Sequence, residues 1–266
     1  MITQREVSQL AYRTQMSDRV IEKDYVLTWL LIGIAESPLA DRLAFKGGTA
    51  LKKVYFPDYR YSEDLDFTVV QTADADEILA TLQGVLARLA ESEGFQFRMP
   101  SGGVEKREGS LTAYVDFVGP LQGRLGSRDI KIDFTLVETM IFPVVPRPIL
   151  AGFSDQVDQA MPSYALEEIL TEKLCATIGR TEPRDIYDLH FLLGLSGIDF
   201  HLIPAAFAAK ARSKGVDPLR LEGALRRPAV QRMWETRLGH QVRDLPHLEQ
   251  VLREVSRNLR QYHLLD

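Results

Sequence analysis

Two aspartates one residue apart, Asp64 and Asp66, sit in a run whose alternate positions are apolar: Asp64-Leu65-Asp66-Phe67-Thr68-Val69. On a strand, side chains alternate between faces. Leu65, Phe67 and Val69 then point to a core, and both carboxylates share the opposite face. Carboxylates held side by side repel each other, and the pair is costly unless a cation sits between them. Hard divalent ions such as Mg²⁺ take oxygen ligands of this kind. Upstream, Gly47-Gly48-Thr49 precedes a helical stretch. Glycines let a backbone approach a ligand closely, a helix N-terminus offers free N–H groups to an anion, and Thr49 adds a hydroxyl. One half of 45–70 suits a phosphate chain, and the other half suits the metal that accompanies one.

A second strand pattern spans 129–137, where Lys131 and Asp133 share one face and Ile130, Ile132 and Phe134 the other. Two charges on an otherwise apolar strand need an edge, a partner or a site. The plain alternative is a local salt bridge on an exposed strand face. Further on, charge gathers at Glu172-Lys173, Arg180 and Arg184-Asp185-Ile186-Tyr187-Asp188. Asp185 and Asp188 are three apart and project to one side of a helix. Acidic residues in a first helical turn also stabilise helices for purely local reasons.

These residues need elements to hold them. Helices are expected over 3–12 and 18–36, the second capped by Ser17 or Asp18, with Glu22-Lys23-Asp24 as a charged surface turn. Then follow a strand at 43–46, a helix at 49–55 and a strand at 65–70. The loop aromatics Tyr55, Phe56, Tyr59 and Tyr61 either pack that loop onto its own domain or line a base pocket. An amphipathic helix over 74–93 stops at Gly94, and strands follow at 95–99 and 111–118. The Gly-rich stretch 119–128 is weak as a phosphate loop, because no helix follows it. Pro143, Pro146 and Pro148 make an extended, loop-like segment. A domain boundary is expected there, giving domains 1–155 and 156–266. Beyond it helices dominate: 163–179, capped by Ser163; 184–193, with Pro183 in its first turn; and several short helices to the end.

The string Gly47-Gly48-Thr49, helix, loop, Asp64-x-Asp66 resembles the first motif of the nucleotidyltransferase superfamily that includes DNA polymerase beta. With Arg60 and Ser62-Glu63-Asp64-Leu65-Asp66, it is more specifically similar to the AbiEii-type nucleotidyltransferase toxins of abortive-infection and toxin–antitoxin systems. Lys131-x-Asp133, Glu172-Lys173 with Arg180, and Arg184-Asp185-Ile186-Tyr187-Asp188 resemble that family's later motifs in order, and Glu22-Lys23-Asp24 its N-terminal element. The resemblance covers Phe45 to Leu193. It implies an α+β fold: a polymerase beta-like core of mixed sheet and helices, with N-terminal helices and a C-terminal helical domain.

The resemblance also implies a chemistry. A nucleoside triphosphate docks on Gly47, Gly48 and Thr49. Asp64, Asp66 and Asp133 hold two Mg²⁺ ions, with Mn²⁺ as the alternative, and form the catalytic set with Lys131. Lys173, Arg180 and Arg184 neutralise phosphate charge, while Asp185 and Asp188 orient those cations or contact the nucleotide. The α-phosphorus is attacked and pyrophosphate leaves. The implied acceptor is an RNA end, notably the 3′ end of tRNA, and the implied partner is a cognate antitoxin encoded nearby. Two other classes stay open: transfer to a protein hydroxyl or small molecule, and a degenerate nucleotide- or RNA-binding module. Three carboxylates argue against the last, since a mere binder has no need of them.

The 266 residues are 45% hydrophobic and 26% charged, enough for one large or two modest cores. No apolar run is long enough to cross a bilayer and no signal core opens the chain, so a cytoplasmic protein without a membrane partner is expected. Cys175, the only cysteine, fits a reducing compartment. The five histidines lack metal-ligand spacing. Net charge is −5, yet residues 201–266 hold 12 Lys+Arg against 7 Asp+Glu. That asymmetry suits a polyanionic partner, or simply the solvated faces of surface helices.

Overall fold

The computed structural model describes residues 1–265. The chain forms two compact units, one of Met1–Glu138 with Val144–Ser163, the other of Thr139–Pro143 with the residues from Tyr164 onward.

The first unit opens with α1 (Gln4–Thr14) and α2 (Asp18–Ala35), whose N-caps Thr3 and Ser17 accept from the backbone N–H groups of Glu6 and Val20. From Tyr25 to Ile34 every residue of α2 is buried, as expected for a helix apolar all round. The expected surface turn at Glu22-Lys23-Asp24 is not found: Glu22 and Asp24 are buried. Glu22 pairs with Arg128 and accepts from Leu121 N at 2.8 Å, while Asp24 pairs with Lys53 at 2.7 Å. Buried carboxylates are tolerable only with such partners. These two tie α2 to the 119–128 connection and to the segment after the glycine turn.

The sheet begins with β1 (Leu43–Lys46). The glycine turn leads straight into α3 (Gly47–Ala50), which continues as a π-helical turn through Tyr55. Then come β2 (Asp64–Val69), α4 (Ala75–Glu93), β3 (Gln96–Arg98), β4 (Val104–Arg107), β5 (Ser110–Val118), β6 (Asp129–Thr135), β7 (Val145–Pro148) and β8 (Ala160–Ser163). Their order is β3-β5-β6-β2-β1-β8-β7, with β4 paired to β5. β2–β6 and β1–β8 are parallel and the other pairs antiparallel, so the sheet is mixed, as the α+β expectation requires. Phe45, Phe67 and Phe134 form one buried aromatic row across β1, β2 and β6, with centroids 5.4 and 5.5 Å apart.

Three local expectations are corrected. The proline segment is a strand, β7, placed at the sheet edge, where proline removes no needed ladder bond. β4 and β8 were not expected. Ser163 does not cap a helix: it ends β8, its hydroxyl donates to Met161 O at 2.9 Å, and the next helix starts at Leu166 with Ala165 as N-cap.

The second unit is helical: α5 (Leu166–Gly179), α6 (Pro183–Leu193), α7 (Ile203–Lys214), α8 (Leu221–Leu225), α9 (Pro228–Leu238) and α10 (Leu248–Gln261). Glu168 on α5 and Lys210 on α7 are wholly buried and paired at 2.5 Å. Glu168 also accepts from Ile141 N (3.0 Å) and Phe142 N (2.8 Å), and Lys210 donates to Thr139 O (2.8 Å). This ion pair fastens the 139–143 strap to the unit's helices. Among the described residues no helix is long and apolar enough to cross a membrane.

Candidate active site

β2 and β6 lie parallel in a register that sets Asp64 opposite Lys131 and Asp66 opposite Asp133. Adjacent strands are about 4.8 Å apart, and residues opposite one another share a face. The alternation read from each strand therefore becomes one polar patch above the aromatic row. Lys131 Nζ donates to Asp133 Oδ2 at 2.5 Å, and Thr112 on β5 donates to Asp133 Oδ1 at 2.6 Å. Partial burial alone would pull the Lys131 ammonium down. The bond to Asp133, and the charges of Asp133, Asp64 and Asp66, outweigh that and hold it above the ordinary lysine value. Three carboxylates thus act on one cation.

Among the described residues no group of three or more His, Cys, Asp or Glu side chains forms a ready-made metal cage. A Mg²⁺ that arrives with a nucleotide needs only one or two protein carboxylates, because phosphates and waters complete its shell. Asp64 and Asp66, all-oxygen donors on one strand face, fit that requirement. Asp133, opposite Asp66, already accepts from Lys131 and Thr112 and keeps a further lone pair on each oxygen.

The glycine turn lies against this patch. Gly47 has φ +78°, and a Cβ there would stand 2.5 Å from Asp66 Oδ2. At Gly48 a Cβ would stand 3.1 Å from Arg60 Cζ. The turn is therefore flanked by a carboxylate on one side and a guanidinium on the other, and side chains are absent where those groups need room. Arg60 is 4% exposed, and its Nη1 donates to Tyr61 O at 3.2 Å. Lys52 holds the loop that carries it, donating to Pro57 O (3.0 Å) and Tyr59 O (3.1 Å) and lying 4.0 Å over the Tyr61 ring. Burial lowers the Lys52 ammonium below the ordinary lysine value. Tyr59 is buried, so this part of the loop packs on its own domain. Thr49 Oγ1 donates to Asp64 O at 2.5 Å, which fastens the start of α3 to β2 and engages the hydroxyl expected to face an anion. Arg60 belongs to the motif string in the sequence, and the structure adds its place against Gly48. Its neighbourhood, a lone arginine between two tyrosines beside a Gly-Gly turn, was the available signal.

The remaining expected residues gather in the second unit. Lys173 is buried between two aspartates, 2.8 Å from Asp185 Oδ1 and 2.6 Å from Asp188 Oδ2. Asp185 also takes a two-pronged bond from Arg180, with Nε at 2.7 Å and Nη2 at 3.0 Å. The three-residue spacing of Asp185 and Asp188 on α6 thus serves to grip one ammonium. Burial by itself would raise the Asp185 carboxyl. The Lys173 charge and the Arg180 bonds overcome that and hold it far below the usual carboxylate range. Arg180 is the outward member, its side chain 52% exposed. Arg184 is half-buried in the first turn of α6. Arg227 donates to the carbonyls of Thr177 (3.4 Å), Ile178 (2.6 Å) and Arg180 (2.7 Å), closing the C-terminal end of α5 beside this cluster.

The sequence profile of the family described as nucleotidyl transferase AbiEii toxin, type IV TA system, matches residues 29–254. MenT4, described as a nucleotidyltransferase toxin from Mycobacterium tuberculosis H37Rv, superposes with a TM-score of 0.77 at 20% identity, over 100% of this chain and 91% of that one. JHP933 from Helicobacter pylori superposes with a TM-score of 0.59 at 18% identity, over 93% of each chain. At these identities the likeness to the two structures is one of fold. No curated protein matches at the level of sequence.

Proposed function

Since the chain belongs to the AbiEii family, the nucleotidyltransferase toxins of type IV toxin–antitoxin systems, we propose that it transfers a nucleoside monophosphate from a triphosphate to the 3′ end of an RNA. Mg²⁺ is the proposed cofactor and tRNA the proposed acceptor. The reading is supported above all by one arrangement: Asp64, Asp66 and Asp133 in register on β2 and β6, against a glycine turn that opens a helix.

The backbone N–H groups of Gly47 and Gly48 take the triphosphate. Arg60, against Gly48, and Lys131, beside the carboxylates, balance its charge. Asp64 and Asp66, joined by Asp133, would hold the metal. Bound Mg²⁺ supplies charge neutralisation at the reacting phosphate and acidity at the attacking hydroxyl. The acceptor oxygen bonds to the α-phosphorus as the bond to the bridging oxygen of the β-phosphate breaks. Pyrophosphate departs with that electron pair, and the hydroxyl proton passes to a carboxylate of the row. In the second unit, Arg180 and Arg184 supply cations for nucleotide or acceptor phosphates, and Lys173, Asp185 and Asp188 hold Arg180 in place. In the cell such transfer blocks translation, arrests growth and serves phage defence, under restraint by a cognate antitoxin.

The test is a labelling assay. Protein, Mg²⁺ and each α-labelled nucleoside triphosphate are incubated with total RNA, with Asp66→Ala as control. Label on tRNA-sized RNA that vanishes in the control supports the proposal and names the nucleotide. Label on protein moves the chemistry to another acceptor. The absence of label with triphosphate binding intact leaves a nucleotide-binding module.

A further inference from the structure

The positive charge of 201–266, 12 Lys+Arg against 7 Asp+Glu, is not spread evenly over the second unit. Two cavities of about 950 and 540 Å³ open along α8, α9 and α10 and share Leu225, Arg226 and Leu252 as lining, so they adjoin, and together they make a grooved face. Seven arginines and two glutamates line it. On α10, Arg253, Arg257 and Arg260 are exposed and follow one another at helical spacing, a stripe about 10 Å long. Arg226 and Arg260 share one counter-charge, Glu222, at 2.9 and 3.2 Å, so the lining keeps an excess of positive charge. Arg232 and Arg243 are exposed on the other arm of the groove. The floor is apolar and fixed: Trp234 is buried, with Nε1 bonded to Pro246 O at 3.0 Å. Arg227 is the exception, since it is turned onto the end of α5.

We propose that this groove docks the sugar–phosphate backbone of an RNA. The inference rests on the RNA-acceptor reading and adds to it a surface, formed within the second unit, that none of the sequence motifs includes. A concave, regularly spaced row of guanidinium groups matches a repeating phosphate charge, and contacts of this kind are independent of base sequence.

The test uses the full chain and fluorescence anisotropy with unfractionated tRNA across a series of KCl concentrations. The variant combines Arg232→Gln, Arg253→Gln and Arg257→Gln, all exposed and outside the catalytic set. Its dissociation constant is expected to rise at least tenfold at moderate salt. The slope of log affinity against log salt should fall by about 2, from about 0.7 per lost phosphate contact. Triphosphate binding and melting temperature should be unchanged. An unchanged affinity and slope, with label still reaching RNA in the transfer assay, overturns the groove and leaves the RNA-acceptor reading standing. Failure of the wild-type protein to bind or label RNA overturns both. Polyglutamate displacing tRNA at equal charge concentration also overturns the proposal, because it assigns the groove to acidic protein.

Discussion

Asp66 touches both halves of the candidate site: it lies opposite Asp133 across the strand pair, and its Oδ2 fills the space that a Gly47 side chain would take. Asp66→Asn keeps the shape and removes the charge, so transfer should fall by roughly 10²-fold or more, the scale for losing one preorganised charge partner, while circular dichroism stays that of wild type. Unchanged transfer would sink the catalytic assignment. Asp185 behaves differently, because its charge serves the fold. Asp185→Asn leaves buried Lys173 with Asp188 alone among the two carboxylates that grip it, and breaking such a pair costs about 3–5 kcal/mol. The sign follows from the lowered carboxyl: its contribution is complete above the ordinary carboxylate range and is lost only as pH falls through the lower folded value. Thermal melts of wild type and variant should therefore differ fully at pH 7 and still differ near pH 4. A gap that closes between pH 6 and 5 would refute this. Asp64, Asp66, Lys131 and Asp133 were legible in the sequence because strand alternation alone assigns their faces. The grip of Asp185 and Asp188 on Lys173 was not, since three-residue spacing tells which side the aspartates face but not what they face.

At the scale of elements, the glycine turn is the sensitive part. Gly47→Ala forces a left-handed φ on an L-residue, at about 1–2 kcal/mol, and displaces the Asp66 carboxylate. Gly48→Ala avoids the strained φ but pushes on Arg60. Both should lower activity, Gly47→Ala the more, and Gly47→Ala should also lower the melting temperature. Gly84 on α4 is the control: a Cβ there meets nothing within 4 Å, so Gly84→Ala should stabilise by about 0.5–1 kcal/mol and leave transfer unaltered. A stabilising Gly47→Ala would contradict the packing described. Strand and helix positions near this turn were readable because periodicity and glycine punctuation agree there. β7 and β8 were not: Pro146 and Pro148 read as loop, and only the edge position that the whole sheet provides makes them a strand. Glu22 and Asp24 were misplaced for a related reason, since their partners Arg128 and Lys53 are distant in sequence.

For the whole molecule, the two units differ in how they answer a ligand and a mutation. Glu168→Ala strips wholly buried Lys210 of its counter-charge and frees Ile141 N and Phe142 N, which should cost about 3–5 kcal/mol. The melting temperature of the chain should drop by roughly 6–20 °C, with each kcal/mol moving it about 2–4 °C. A ligand acts in the opposite direction. Anything that binds only the folded state stabilises it by RT ln(1 + [L]/Kd), about 2.7 kcal/mol at a hundredfold excess over Kd. Mg²⁺ together with the correct triphosphate should therefore raise the wild-type melting temperature, and Asp66→Asn should lose most of that shift. Arg180→Gln separates the roles of the units. Its guanidinium is half-exposed and bonded to Asp185. If it also meets nucleotide phosphate, losing a charge-assisted bond of about 1.5–3 kcal/mol weakens triphosphate binding about tenfold or more. The ligand-induced shift then shrinks well beyond any change in the unliganded melt. A full shift in Arg180→Gln would confine nucleotide recognition to the glycine turn and carboxylate row, leaving the Lys173 cluster a purely structural clasp.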